Sequence, residues 1–179
     1  MKTTPRLVVF AGLPGSGKST IGREVARRLG AVFLRVDTVE AALLQAGLTR
    51  SFETGLAAYV VARDLARENL REGTEVVVDA VNGVGEARAM WRELSDELGV
   101  ARYTVHVICS DPEEHRRRVE SRVPYAPPLP LPTWEEVIHR EFQPWQEKVL
   151  TVDSVLSPAE NAVLVLTYCS QNPPERRGA

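Results

Sequence analysis

The chain has 179 residues, 44% hydrophobic and 26% charged, with 22 Lys and Arg against 24 Asp and Glu. That balance excludes a disordered or fibrous chain, and it counts against a dedicated nucleic-acid binder. Two cysteines, Cys109 and Cys169, are too few for a disulfide scaffold and lack zinc-site spacing. No stretch approaches the ~18 apolar residues of a membrane span, and the Leu7–Ala11 run is too short for a signal peptide. A cytoplasmic protein with no membrane partner is therefore expected, as a monomer or homodimer, with one domain over residues 1–170 and a frayed tail over 171–179.

In chain order, Leu7–Ala11 reads as a strand buried on both faces, followed by a glycine-rich turn. Lys18–Leu29 carries helical spacing (Ile21, Val25, Leu29) and stops at Gly30. Ala31–Val36 is predicted to be a strand ending at Asp37, then Val39–Ala46 a short helix and Phe52–Glu72 a long one. Thr74–Val78 is β-prone with Asp79 at its end, Gly85–Leu98 is helical, and Tyr103–Cys109 is a fourth strand. Pro112–Val123 reads as a basic helix with cap, proline and acid at its start. Pro124–Pro132 holds five prolines and is predicted to be an extended loop. Thr133 caps a helix over Trp134–Phe142, Val149–Asp153 is a fifth strand, and Ser157-Pro158 opens a last helix to about Cys169. This alternation predicts an α/β fold, a parallel sheet flanked by helices, with ligands at the carboxyl ends of the strands.

Chemistry gathers at those ends. Gly12-Leu13-Pro14-Gly15-Ser16-Gly17-Lys18-Ser19 fits G-x-x-x-x-G-K-[ST] between a predicted strand and a predicted helix. The glycines let the backbone wrap a phosphate, and the helix presents its positive end to the anion. Lys18 would bridge the β- and γ-phosphates of ATP, Ser19 would ligate Mg²⁺, and Thr20 would lie near the α-phosphate. Read as a loop residue outside the core, Lys18 should be replaceable by alanine without loss of the fold. Asp79, after Val76–Val78, could hold the Mg²⁺ water shell, or simply form a turn. Asp37 could take the proton of an attacking hydroxyl, help hold the metal, or cap the helix after it. Position 80 is Ala, not the water-activating Glu of ATPase motors.

Arg116, Arg117, Arg118 and Arg122 crowd one short helix beside the proline loop. Arg118 and Arg122, spaced i,i+4, would share a face and neutralise charge on a moving phosphoryl group; a solvated basic face is the plainer alternative. Residues 112–134 are predicted to form a lid. Asn82, Arg88 and Arg50 are candidates for contact with an acceptor, and a surface role for the arginines is equally open. His106, His115 and His139 have no nucleophile or ligand partner in sequence, and the tryptophans read as packing residues, with Trp134 a candidate lid lining.

The segments GLPGSGKST, VVVDAVN with Arg88 nine residues beyond its Asp, and DPEEHRRRVESR together resemble the small P-loop kinases. The resemblance runs from about Arg6 to Cys169 and is strongest to the AAA-type "predicted kinase" proteins, akin to adenylylsulfate kinase, gluconate kinase and chloramphenicol phosphotransferase. It implies a P-loop NTPase fold with a five-stranded parallel sheet in the order 2-3-1-4-5, a lid, and ATP with Mg²⁺ as cofactors. It implies phosphate and metal roles for Gly15, Gly17, Lys18 and Ser19, lid roles for Arg118 and Arg122, and substrate or base work for Asp37. It also brings residues 153–157 near adenine. Two departures stand out: Glu40 occupies a position that is basic in many relatives, and the lid is proline-rich. The leading expectation is a kinase for a small-molecule acceptor. The alternatives are a kinase of nucleotides or nucleic-acid ends, and a nucleotide-dependent switch; an N-K-x-D guanine motif is absent.

Overall fold

The computed structural model describes residues 4–123 and 131–172. Five strands, β1 (Arg6–Ala11), β2 (Val32–Arg35), β3 (Val76–Asp79), β4 (Ala101–Ile108) and β5 (Leu150–Asp153), form one parallel sheet in the order β2-β3-β1-β4-β5. Seven helices accompany them: α1 (Lys18–Leu29), α2 (Val36–Gln45), α3 (Phe52–Arg71), α4 (Gly85–Leu98), α5 (Pro112–Glu120), α6 (Trp134–Ile138) and α7 (Pro158–Gln171). The expected strand order holds.

Alternation along the central strands builds two cores. Val8, Phe10 and Val77 face Ile21 and Val25 of α1 and Val165 of α7. Leu7, Val9, Val76 and Val78 face Ala58, Ala62 and Ala66 of α3 and Trp91 and Leu94 of α4. Strands covered on both faces explain the unbroken apolar runs. The alanine row on α3 lets that helix approach the sheet closely.

Three boundaries differ from the sequence reading, each for a local reason. β2 pairs only with β3, and its register ends where β3 ends, at Arg35 opposite Asp79. With no further partner the chain turns at once into α2, so Asp37 lies in the first helical turn and not at a strand end; the cap position is Arg35, which removes the capping role from Asp37. α5 stops at Glu120, as befits a chain approaching Pro124, because the residue before a proline disfavours helix. Arg122 therefore falls beyond the helix and does not share a helical face with Arg118. α6 ends at Ile138 and not at Phe142. Past it the backbone is drawn aside, with Gln143 N donating to Gly83 O at 2.8 Å and its side-chain Oε1 accepting from Gly85 N. Most of the predicted proline loop, residues 124–130, lies outside the described residues, as does the tail beyond 172.

Among the described residues no helix is long and apolar enough to cross a membrane, and no group of three or more His, Cys, Asp and Glu is placed to hold a metal.

Candidate active site

The loop between β1 and α1 is anchored at its start by Gly12 N, which donates to Val81 O at 3.1 Å. Two of its crowded points are glycines in the left-handed region that meet other parts of the chain. A Cβ on Gly15 (φ 80°) would sit 2.6 Å from Val119 Cγ2, and one on Gly17 (φ 91°) would sit 2.8 Å from Ser154 Cβ. Only glycine accepts both the backbone angle and the approach. The loop is thus clamped from outside by α5 and by the turn after β5.

Two side chains complete the clamp. His115, on α5, donates from Nε2 to Pro14 O at 2.9 Å and lies edge-on to Trp134 of α6, with ring centres 5.2 Å apart. Arg118, one turn further along α5, donates to Ser154 Oγ at 2.7 Å, to Ser154 O at 3.1 Å and to Glu114 at 2.7 Å. Its Nη1 lies 3.4 Å from the position a Gly17 Cβ would take, so the guanidinium borders the loop. Hydrogen bonds from Arg117 and Arg118 hold the Glu114 carboxyl at about 2.

Inside the clamp lie groups with nothing to bind among the described residues. Ser16 Oγ is buried without a hydrogen-bond partner. Lys18 is the first residue of α1 and only 5% exposed, so it belongs to the site's buried wall and is not a loop residue outside the core. Beside Ser19 and Thr20 opens a groove of about 400 Å³, lined also by Arg23, Glu24, Arg27 and Pro158. Ligand pockets commonly start at about 300 Å³.

The carboxylates stand across the sheet edge from the loop. Asp79 is 3% exposed; its Oδ2 is 3.2 Å from Arg35 Nε, and its Oδ1 is buried without a hydrogen-bond partner. Asp37, 38% exposed, has Oδ2 3.7 Å from Arg35 Nη2. A buried carboxylate oxygen with no donor is costly unless a ligand meets it. The unmet carboxylate oxygen of Asp79 is a donor of the kind that suits a hydrated Mg²⁺, which binds through few protein ligands and keeps its waters.

α2 and α3 pack on each other, and further charged groups gather near them. Burial, and after it the neighbouring Asp37, push the Glu40 carboxyl up, while Arg50 and Arg140 pull it down. Burial pushes the Tyr59 phenol up to about 12; its oxygen accepts from Asn82 N at 3.3 Å. Asp37, Glu40, Arg50, Tyr59 and Arg140 thus share one electrostatic neighbourhood.

Asn82 and Arg88 sit otherwise than a substrate contact would. Asn82 is fully buried at φ 48°; its amide donates to Phe10 O and accepts from Trp91 Nε1, both at 2.9 Å. Arg88 gives its guanidinium to the carbonyls of Asn82, Gly83, Gln143 and Pro144 and stacks 3.7 Å over Trp145. Both bind the chain's own backbone behind Asp79. Arg122 makes no contact with the loop comparable to that of Arg118.

Arg35, His115 and Arg140 join the site without having stood out in sequence, while Ser154 lies in the 153–157 segment that the resemblance brought near the nucleotide. His115 is one turn before Arg118, a helical spacing that predicts a shared face. Arg35 was hidden inside an apolar strand pattern, and Arg140 meets the site only through tertiary structure.

A family model described as an AAA domain matches residues 7–143. The chain belongs to that family. It is also similar to the shikimate kinase of Paracidovorax citrulli, 46% identical over 76 residues; the match covers 41% of this AAA-domain chain and 40% of that kinase. Among solved structures, the Mycobacterium tuberculosis APS kinase in complex with AMPPNP and APS superposes with a TM-score of 0.71 at 22% identity, covering 93% of this chain and 98% of the other. A gluconokinase from Sinorhizobium meliloti gives 0.65 at 18%, covering 94% and 95%. The sheet, its order and the phosphate loop are those of a P-loop kinase fold.

Proposed function

We propose that this chain is an ATP-dependent phosphotransferase that moves the γ-phosphoryl of ATP to a hydroxyl of a small-molecule acceptor. The observation that carries the reading is the facing of a clamped phosphate loop, with buried Lys18, against a carboxylate whose inner oxygen has no hydrogen-bond partner among the described residues. The similar proteins include a shikimate kinase, an APS kinase and a gluconokinase by name, which supports the same class.

The roles divide by position. The backbone from Gly12 through Leu13, Pro14, Gly15, Ser16 and Gly17 to Thr20 cradles the phosphate chain, and α1 points its positive end at it. Lys18 places a fixed cation at the transferring phosphoryl, and Arg118 adds a second from the lid base. Ser19 and Asp79 would hold Mg²⁺, which when bound would supply charge neutralisation at the phosphate oxygens. Asp37, half in solvent, takes the proton of the acceptor hydroxyl. Glu40, Arg50 and Arg140 line the acceptor's berth. At the described start of the expected lid, α5 borders the phosphate loop.

The test is ADP release from Mg·ATP, alone and with pooled hydroxyl-bearing metabolites, nucleosides and aminoglycoside- or phenicol-type antibiotics. One pool should raise turnover at least about tenfold over background, since acceptor-free hydrolysis lacks the oriented nucleophile. Steady ADP release that no pool changes would refute the transferase reading in favour of a nucleotide-dependent switch.

A further inference from the structure

Two carboxylates at one nucleotide site pose a problem of division of labour. Both are anionic, both can approach a metal, and they repel each other at short range. The structure sets one cation between them. Arg35 ends β2 in direct register with Asp79, which ends β3. Its Nε lies 3.2 Å from Asp79 Oδ2, and its Nη2 lies 3.7 Å from Asp37 Oδ2. The arginine side chain is 13% exposed, against 3% for Asp79 and 38% for Asp37. A buried acid, a nearly buried cation and a half-exposed acid thus run outward from the sheet edge.

We propose that Arg35 is a positioning residue that assigns the two acids their separate roles. It lies within ion-pair distance of one oxygen of each. The second oxygen of Asp79, buried and without a hydrogen-bond partner among the described residues, is thereby turned to the water shell of the metal. The more exposed Asp37 is held away from the metal and left to the acceptor hydroxyl. This deepens the phosphotransfer reading and rests on it. Geometry favours arginine at this position, because its planar fork presents Nε and Nη2 to two acids at once, whereas a lysine ammonium is a point charge at the end of a flexible stem. The arrangement costs no additional segment, because Arg35 and Asp37 are two residues apart across the strand-to-helix junction.

Arg35→Lys keeps the charge and removes the fork. ADP binding to the full chain is titrated by calorimetry in Mg²⁺ and in EDTA, alongside the kinetics of transfer. In EDTA the variant should bind ADP within about twofold of the wild type, because the phosphate loop is untouched. The tightening by Mg²⁺ should fall about tenfold or more, the usual effect of losing a partner that orients a metal's ligand. kcat/KM for ATP should fall at least about tenfold, with KM for ATP rising in step with the weaker Mg·ADP binding. Wild-type tightening in Arg35→Lys would overturn the proposal. So would stronger Mg·ADP binding in Arg35→Gln, which would make Arg35 a mere competitor of the metal. Asp79→Asn leaves no lone buried charge once Arg35→Gln is added, so this pair remains testable even if Arg35→Lys does not fold. In the Asp79→Asn background, Arg35→Gln should cause no further loss of tightening, and a further loss refutes the assignment. A wild-type chain whose ADP affinity ignores Mg²⁺ would sink the phosphotransfer reading itself, a failure distinct from the others.

Discussion

Lys18 and Asn82 are both buried polar residues near the nucleotide loop, and the structure separates their duties. Lys18 belongs to the buried wall of the site, while each polar atom of the Asn82 amide is taken by the fold. Lys18→Ala should cut transfer by at least about 100-fold, because a fixed cation at the moving phosphoryl acts mainly in the transition state. Its melting temperature should stay within a few degrees, since alanine is the best helix former and the position opens α1. A variant with full transfer would remove Lys18 from the site. Asn82→Ala should behave in the opposite way. It strands Trp91 Nε1 inside the protein and leaves Phe10 O only the 3.5 Å bond from Ala80 N, at a cost of about 2–4 kcal/mol in urea unfolding. A stable Asn82→Ala protein with lost activity would restore the substrate role that its place after Asp79 suggests. Sequence spacing identified both residues, but it carries no information on where an amide's partners lie.

At the scale of elements, α5 couples charge to shape. It seats the phosphate loop through His115 and Gly15, and it holds Arg118 against Ser154 with Glu114 as brace. The brace has a pH signature. Glu114 sits at about 2 in the folded chain, below its ordinary 4.5, because Arg117 and Arg118 donate hydrogen bonds to its charged form. A depressed carboxyl contributes stability above the unfolded value and loses it as pH falls through the folded one. Wild type and Glu114→Gln should therefore differ in melting temperature at pH 7 and converge between about pH 4.5 and 2. Parallel curves across that window would show that the pairing contributes nothing to folding. The helix itself was legible from Ser110-Asp111-Pro112-Glu113, and Asp111 does accept from Glu113 N and Glu114 N. Its end was not, because apolar periodicity says little where nine residues carry one buried side chain, Val119. The Arg118–Arg122 pairing failed with that boundary. The short reach of β2 moved Asp37 into a helix for a related reason: strand length is set by the partner's register, which no local pattern encodes.

At the scale of the whole molecule, the βα alternation pointed to a parallel sheet, and the strand order came from the resemblance to the small P-loop kinases. What stayed hidden was the convergence on the loop of residues from β4, α5 and the turn after β5. That convergence has a kinetic consequence. Gly12 is pressed by Val107 O, Gly15 by Val119 and Gly17 by Ser154, so the anion cradle is shaped by segments made long after the loop itself. β1 also gains its two neighbours from afar, pairing Leu7 with Val76 and Arg6 with Ala101. Closing such distant contacts is slow and comes before any reward from them. A nascent or refolding chain accordingly has no nucleotide site to offer until its last strand has docked. Nucleotide can then act only on the finished state, slowing its unfolding by mass action, and it cannot serve as a template that hastens the search.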